Sequence, residues 1–169
     1  MVKTGVPKTP TQSDRPVGPK VVAVASAGGH WTQLMQVLPA FEGLDIHFAG
    51  TDPRLAHSSG LTGMTGLRDS NRSRPFRVLA TVWDAGRLIL TTRPDVVVTT
   101  GAAPGLLALV WGRAFGARTI WIDSIANSQE LSLSGRLARR FATHTVTQWA
   151  HLADDSGPRC PILFWGSVL

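Results

Sequence analysis

Three segments rich in glycine, hydroxyl or carboxylate side chains each follow an apolar run of the sequence. They are residues 26–30, 99–105 and 123–130. The apolar runs before them are rich in β-branched residues, which is typical of buried strands. Because ligands of open α/β sheets bind outside the carboxyl ends of the strands, we expect these three segments to form the functional site.

The first segment contains Ser26, Gly28, Gly29 and His30. Paired glycines let the backbone approach a ligand closely, and the helix predicted to follow offers unpaired N–H groups that suit a phosphate. The glycine pattern of dinucleotide-binding loops is absent, and residues 21–169 contain no lysine for a phosphate-binding P-loop. We therefore expect neither NAD nor FAD, and no other cofactor.

His30 lies at the mouth of this predicted site. Imidazole is the natural general base near neutral pH, so His30 is a candidate catalytic residue. The alternative is a histidine at a helix start that only hydrogen-bonds nearby backbone. Residue type alone leaves both interpretations open.

The other two segments offer further candidates. Thr100 and Gly101 predict an anion-tolerant loop, although a tight turn between strand and helix would also need the glycine. Asp123 could orient a substrate hydroxyl, and Asn127, Ser128 and Glu130 could hydrogen-bond a sugar. Ser132, further along, is typical of a helix cap, which is a purely structural role.

The remaining sequence alternates between predicted strands and helices. Such alternation with short links indicates right-handed crossovers, a parallel sheet and a Rossmann-like α/β fold. Residues 54–74 give no clear pattern, and the tryptophans in apolar runs are expected in the core (Trp83, Trp111, Trp121 and Trp165). The predicted strands are residues 21–25, 45–49, 95–99, 118–122, 145–147 and 161–164; the predicted helices are 31–41, 77–92, 106–115 and 132–141.

Composition limits the class of protein. The 169 residues suit one domain, and the single cysteine, Cys160, excludes an intrachain disulfide and a cysteine-based metal site. No apolar run approaches the roughly 20 residues that span a bilayer. Residues 1–20 hold all three lysines and four of the 11 prolines, so we predict a disordered basic leader before a domain at residues 21–169. That leader is either a solvated segment or a contact for anionic lipid.

Other patterns exclude further classes. We expect no nucleic acid partner, because no basic stripe is interleaved with aromatic residues. No metal-ligand spacing is present either. A cytoplasmic protein, free or on the membrane surface, is expected.

Six motifs in order resemble a known family. Over residues 21–169 the chain resembles the N-terminal, acceptor-binding half of GT-B glycosyltransferases, and most closely the stand-alone subunits of two-component enzymes. These include the eukaryotic membrane-anchoring subunit of the enzyme that adds the second GlcNAc to a dolichyl-diphosphate-linked oligosaccharide, and bacterial PssD-like subunits. The N-terminal half of MurG is similar at a greater distance. The motifs are residues 26–30, 69–72, 93–101, 122–124, 131–137 and 147–149, followed by Trp165-Gly166.

The resemblance implies a specific function. The partner would be a donor-binding subunit carrying the UDP-sugar site, and the acceptor a polyprenyl-diphosphate-linked saccharide at the inner face of the cytoplasmic membrane. His30 would be the base of an inverting, metal-independent transfer, and this chain alone would be inactive. The acceptor and its phosphates would be bound by Ser26, Gly28, Gly29, Asn71, Arg72, Thr100, Gly101, Asp123 and Ser124.

Two features depart from that family. Asp123 stands where these subunits usually have Glu, and we expect the chain to lack the membrane-spanning segment of the eukaryotic subunits. Membrane attachment would then use the basic leader, the helix predicted within residues 72–92, or the partner. Two rival functions stay open: a non-catalytic scaffold that recruits a donor subunit, and a stand-alone nucleotide-binding Rossmann protein.

Overall fold

A single parallel sheet runs through the computed structural model, which describes residues 18–68, 75–155 and 160–168. Within those residues its seven strands lie in the order β3-β2-β1-β4-β5-β6-β7. This arrangement confirms the predicted Rossmann-like α/β class. The strands are β1 (Lys20–Ala25), β2 (Asp45–Gly50), β3 (Thr65–Gly66), β4 (Val96–Thr99), β5 (Arg118–Ile122), β6 (His144–Thr147) and β7 (Ile162–Phe164).

Helices cover both faces of the sheet. Those of the described segments are α1 (Gly29–Val37), α2 (Arg54–Ser58), α3 (Pro75–Thr92), α4 (Ala102–Ala114) and α5 (Leu133–Ala138), with short 3-10 turns at Leu38–Phe41 and Ala150–Leu152. Helices α1 and α2 pack on one face, while α3, α4 and α5 pack on the other. The sheet is thus the middle of three layers.

Strand β1 shows why its sequence is apolar without interruption. Val22 and Val24 pack toward α3 and α4, whereas Ala23 and Ala25 pack toward α1. All four side chains are inaccessible to solvent. A strand buried on both faces has no polar side to alternate with its apolar side.

The chain order reverses beside β1, which lies between β2 and β4. The connection after β1 enters α1 on one face, and the connection after β4 enters α4 on the other. Strands β1 and β4 are paired up to Val24 and Thr99. The two helices therefore begin on either side of one crevice, the place where doubly wound sheets bind ligands.

Several element bounds differ from prediction. Helix α4 begins at Ala102 instead of residue 106, because Pro104 falls in its first turn, where the missing N–H is not needed. The helix predicted over residues 31–41 ends as α1 at Val37, and a 3-10 turn containing Pro39 follows. Residues 54–74 were expected to be irregular, yet α2 and β3 lie within them.

Two of the four tryptophans expected in the core lie at the surface. Trp121 is buried and Trp111 is half-buried, but Trp83 is 72% exposed and Trp165 is 60% exposed. The prediction was wrong for these two because apolar neighbours in sequence do not show which side of an element is covered. In α3 the side that packs against the core carries Leu88 and Ile89.

Other expectations fall partly outside the described segments. Residues 1–17 are among those not described, so the leader and its boundary at residue 20 stay predictions. Within the described part, no helix combines the length and the hydropathy needed to cross a bilayer.

Candidate functional site

His30 and Thr100 join the loops after β1 and β4 by two reciprocal contacts. Nδ1 of His30 lies 2.8 Å from the Thr100 carbonyl oxygen. In return, the Thr100 hydroxyl donates to the His30 carbonyl at 2.7 Å. Thr100 is fully buried and His30 half-buried, so the pair closes the floor of the crevice. One interpretation of the sequence expected His30 to hydrogen-bond nearby backbone. The ring does bond a backbone carbonyl, but that carbonyl belongs to the loop after β4.

Gly101 provides the surface on which the imidazole rests. Its φ of 138° lies in a region that residues with side chains rarely adopt. A Cβ at this position would come within 2.5 Å of Nδ1 of His30. Both backbone conformation and space therefore require glycine here. The next residue, Ala102, also has a positive φ of 62°, so the start of α4 is strained.

The loop after β1 is open toward solvent. Gly28 and Gly29 are exposed, and a Cβ added to either would meet no atom within 4 Å. Gly28 has a φ of 80°, which turns the chain into α1. Ser26 is half-buried at the end of β1, and the amide of Ala27 donates to the Thr51 hydroxyl at 2.9 Å. A ligand can thus reach the backbone N–H groups of the first turn of α1.

Asp123 is buried and fully engaged within the protein. One carboxylate oxygen accepts from the Ser132 hydroxyl at 2.6 Å and from the Trp121 indole at 3.0 Å. The other accepts from the Ser132 amide at 2.9 Å and from the Asn127 side chain at 3.4 Å. Its side chain therefore holds the loop between β5 and α5 in place.

The same hydrogen bonds settle the role of Ser132. Its hydroxyl accepts from the Gly135 amide at 2.8 Å, which is the cap of α5 that the sequence offered as a structural interpretation. Ser124 is half-buried, and its hydroxyl accepts from the Ala126 amide at 3.3 Å. Ser124 and Asp123 thus lie at the carboxyl end of β5, one strand beyond the His30 crevice.

Gln33 connects the His30 crevice with the end of β5, and the sequence analysis did not single it out. Its side chain is buried, and the amide nitrogen donates to the Asp123 carbonyl at 2.9 Å. Gln33 lies one turn after His30 in α1, so this bond fixes the helix that carries His30 against the end of β5. No sequence signal marks it, because glutamine in an amphipathic helix is usually exposed.

Asn71 and Arg72 lie outside the described residues, so their predicted contact with an acceptor stays a prediction. Within the described segments, His, Cys, Asp and Glu side chains form no group of three or more that could hold a metal ion.

The charged residues near the crevice include one ion pair. Asp52, in the loop after β2, accepts two hydrogen bonds from the Arg54 guanidinium, at 2.9 and 2.8 Å. These bonds lower the pKa of Asp52 from its ordinary value. The pair lies at the surface, on the carboxyl side of the sheet.

Comparison with solved structures places the fold. The chain is similar to MurG of Acinetobacter baumannii, with a TM-score of 0.68 over 86% of this chain and 45% of that chain, at 15% identity. It is also similar to a UDP-N-acetylglucosamine 2-epimerase from Rickettsia bellii, with a TM-score of 0.62 over 79% of this chain and 40% of that chain, at 10% identity. At such identities the likeness concerns the fold, which is that of one half of GT-B proteins.

Comparison with curated proteins finds two relatives that match part of the chain. The UDP-N-acetylglucosamine transferase subunit ALG14 of Eremothecium gossypii is 40% identical over 73 residues, which are 40% of this chain and 33% of that protein. The Mus musculus subunit of the same name is 29% identical over 97 residues, which are 52% of this chain and 43% of that protein. The matches thus span less than half of each relative's length.

The family model described as "Oligosaccharide biosynthesis protein Alg14 like" matches residues 65–160, more than half of the chain. This region includes β4, α4 and the Thr100–Gly101 side of the crevice. The chain belongs to the Alg14-like family of oligosaccharide biosynthesis proteins.

Proposed function

We propose that this chain is the acceptor-binding subunit of a two-component UDP-sugar glycosyltransferase. Its acceptor would be a saccharide linked to a polyprenyl diphosphate, and the donor site would lie on a partner subunit. The observation that carries the proposal is the crevice between β1 and β4, where the starts of two helices flank the paired His30 and Thr100.

The chemistry of this crevice suits a diphosphate. The first turns of α1 and α4 each present backbone N–H groups without intrahelical partners, together with the positive end of a helix dipole. Gly28 and Gly29 leave the α1 side open to a ligand. The Gly101 backbone borders the α4 side. A phosphate bound between them would be stabilised without a metal ion.

His30 would act on the acceptor hydroxyl. In the proposed transfer, the acceptor oxygen forms a bond to the anomeric carbon while the bond from that carbon to the UDP phosphate oxygen breaks. The hydroxyl proton goes to the imidazole, and the bonding electrons leave with UDP. A positioned base of this kind typically contributes about 10²- to 10⁴-fold to the rate.

A separate donor-binding subunit is proposed because the matched relatives are named as transferase subunits. In GT-B folds two Rossmann-like halves face each other across a cleft, and this chain has the fold of one half. The carboxyl edge of its sheet would then face the partner, with the acceptor between the two proteins.

Attachment to the inner face of the cytoplasmic membrane is part of the proposal. On α3, Leu79 is 67% exposed, Trp83 72% and Leu90 50%. At about 100° per residue these three side chains point within roughly 40° of one another, and the exposed Arg87 lies beside them. An apolar stripe flanked by a cation suits an anionic lipid surface.

The proposal is tested by comparing two histidine substitutions in the enzyme assembled with its donor subunit. His30→Ala removes the proposed base, whereas His57→Ala removes an exposed histidine of α2. Transfer from a UDP-sugar to a polyprenyl-diphosphate-linked acceptor should fall about 10²- to 10⁴-fold for His30→Ala and stay unchanged for His57→Ala.

Binding measurements separate this function from its rivals. Both variants should bind the donor subunit as tightly as the wild type. If His30→Ala turns over normally while the pair still assembles, the chain is a non-catalytic scaffold. If the isolated chain turns over a nucleotide-linked substrate by itself, the two-component proposal is wrong.

A further inference from the structure

We infer that Thr100 positions His30 and selects its Nδ1–H tautomer, so that Nε2 is the atom that receives the proton. This inference rests on the proposed function for its role in turnover. It goes further by naming the accepting atom and a positioning residue on the opposite loop.

The tautomer follows from the partner of Nδ1. A carbonyl oxygen can only accept a hydrogen bond, so at 2.8 Å from the Thr100 oxygen Nδ1 must carry the hydrogen. A neutral imidazole has one N–H, which leaves an unshared electron pair on Nε2. In unstructured peptides the Nε2–H tautomer predominates, so the contact with Thr100 reverses the ordinary preference.

A second bond fixes the backbone that carries the ring. The Thr100 hydroxyl donates to the His30 carbonyl at 2.7 Å. One buried residue therefore holds both the side chain and the main chain of His30, which removes the rotation that would exchange the two ring nitrogens. Because Thr100 is inaccessible to solvent, water does not compete for its hydroxyl.

The backbone of Gly101 also contacts the His30 ring. Gly101 leaves space for the imidazole to lie against its backbone, since a Cβ there would come within 2.5 Å of Nδ1 and 3.2 Å of Nε2. Nε2 itself has no hydrogen-bond partner among residues 18–68, 75–155 and 160–168. The electron pair of Nε2 is thus available to a ligand in the crevice.

These contacts also suit the protonated state. When Nε2 takes the acceptor proton, the imidazolium keeps its Nδ1–H bond to the Thr100 carbonyl. The carbonyl dipole then faces a positive charge, and no hydrogen bond has to change partner during the transfer. Thr100 is accordingly a positioning residue, since it acts on the reaction only through His30.

The tautomer is tested by nuclear magnetic resonance on the full chain labelled with ¹⁵N in histidine. Long-range proton–nitrogen spectra at a pH where His30 is neutral should show Nδ1 as the protonated nitrogen and Nε2 as the unprotonated one. His30→Ala identifies the signals. A neutral His30 that carries its hydrogen on Nε2 would overturn the inference.

The positioning role is tested by kinetics of the assembled enzyme. Thr100→Val keeps the shape and removes the hydroxyl, and should lower kcat roughly 3- to 10-fold with little change in KM. Thr100→Ser restores the hydroxyl and should recover most of kcat. The matched control is Thr145→Val on β6, because the buried Thr145 hydroxyl has no hydrogen-bond partner in the described structure.

Each outcome decides a separate point. A normal kcat for Thr100→Val, or a loss that Thr100→Ser does not recover, would overturn the positioning role. Normal turnover of His30→Ala would refute the proposed function, while the nitrogen spectra would still decide the tautomer.

Discussion

The imidazole ring of His30 lies directly against the α-carbon of Gly101, with room for a hydrogen atom and none for a methyl group. The two residues come from different βα loops, 71 positions apart in sequence. Their contact joins the starts of α1 and α4, so the shape of the crevice depends on it.

Gly101→Ala should therefore destabilise the fold and displace His30. The φ of 138° would be strained for alanine by about 1–3 kcal/mol, and the added methyl group would overlap the imidazole. We expect a loss of at least about 2 kcal/mol in the free energy of unfolding, measured by urea denaturation.

Gly116→Ala is the matched control for that experiment. Gly116 has a φ of 86°, but a Cβ there would meet nothing within 4 Å. Gly116→Ala should lower the free energy of unfolding only through backbone strain, by about 1 kcal/mol. Equal losses for the two variants would show that contact with His30 contributes nothing at Gly101.

Gly29→Ala should separate stability from function. Gly29 starts α1 with a negative φ, and its Cβ would point into open space. Alanine should raise the free energy of unfolding by about 0.5 kcal/mol through helix propensity. In the assembled enzyme the same methyl group should weaken binding of the acceptor, which would be measured as a raised KM for the acceptor. An unchanged KM would mean that the acceptor does not approach this turn.

Asp123→Asn should destabilise the loop between β5 and α5. The buried carboxylate accepts from four donors, and an amide nitrogen in place of either oxygen would face a donor of Ser132 together with that of Trp121 or Asn127. We expect a loss of about 1.5–3 kcal/mol in thermal or urea unfolding. Asp155→Asn, at an exposed position, should change stability by less than about 0.5 kcal/mol. Equal stability of the two variants would contradict a structural role for Asp123.

Trp83→Ser should reduce binding to lipid vesicles. Trp83 has the most exposed apolar side chain among residues 78–92 of α3, and its removal should weaken binding to phosphatidylglycerol vesicles, measured by sedimentation, about tenfold without loss of stability. Trp165→Ser is the control, because Trp165 is exposed beside Val37 and Phe41 on the α1 face of the sheet. If both variants bind equally well, α3 is not the membrane surface.

Arg54→Gln should raise the pKa of Asp52 toward its ordinary value. In the wild type, hydrogen bonds from Arg54 lower the pKa of Asp52. The lowered pKa stabilises the folded state at pH values above the pKa that Asp52 has in the unfolded chain, and this stabilisation is lost as the pH falls through the pKa of the folded state. The pair is exposed, so salt should weaken the effect. The pKa of Asp52 is measured from its carboxyl chemical shift over an acid titration. Identical titration curves for the wild type and Arg54→Gln would contradict the prediction.

Much of the fold could be read from the sequence. The strand Arg118–Ile122 has its predicted bounds, and the order of strands and helices indicated a parallel sheet. These features are local, because β-branched runs and helical spacing appear within a few residues. Exposure was harder to predict: Trp83 and Trp165 lie in apolar runs but outside the core, since burial depends on which elements pack over them.

For the site, the sequence by itself determined which residue types are present at the strand ends: Gly28, Gly29 and His30 after β1, and Thr100 and Gly101 after β4. Only the tertiary structure decided their relations. It brought Thr100 to His30, directed Asp123 inward to Ser132, and buried Gln33 against the end of β5. The physical reason is that such contacts join residues up to 90 positions apart, and hydrogen-bond partners at that separation are chosen by the packing of the sheet and not by local sequence.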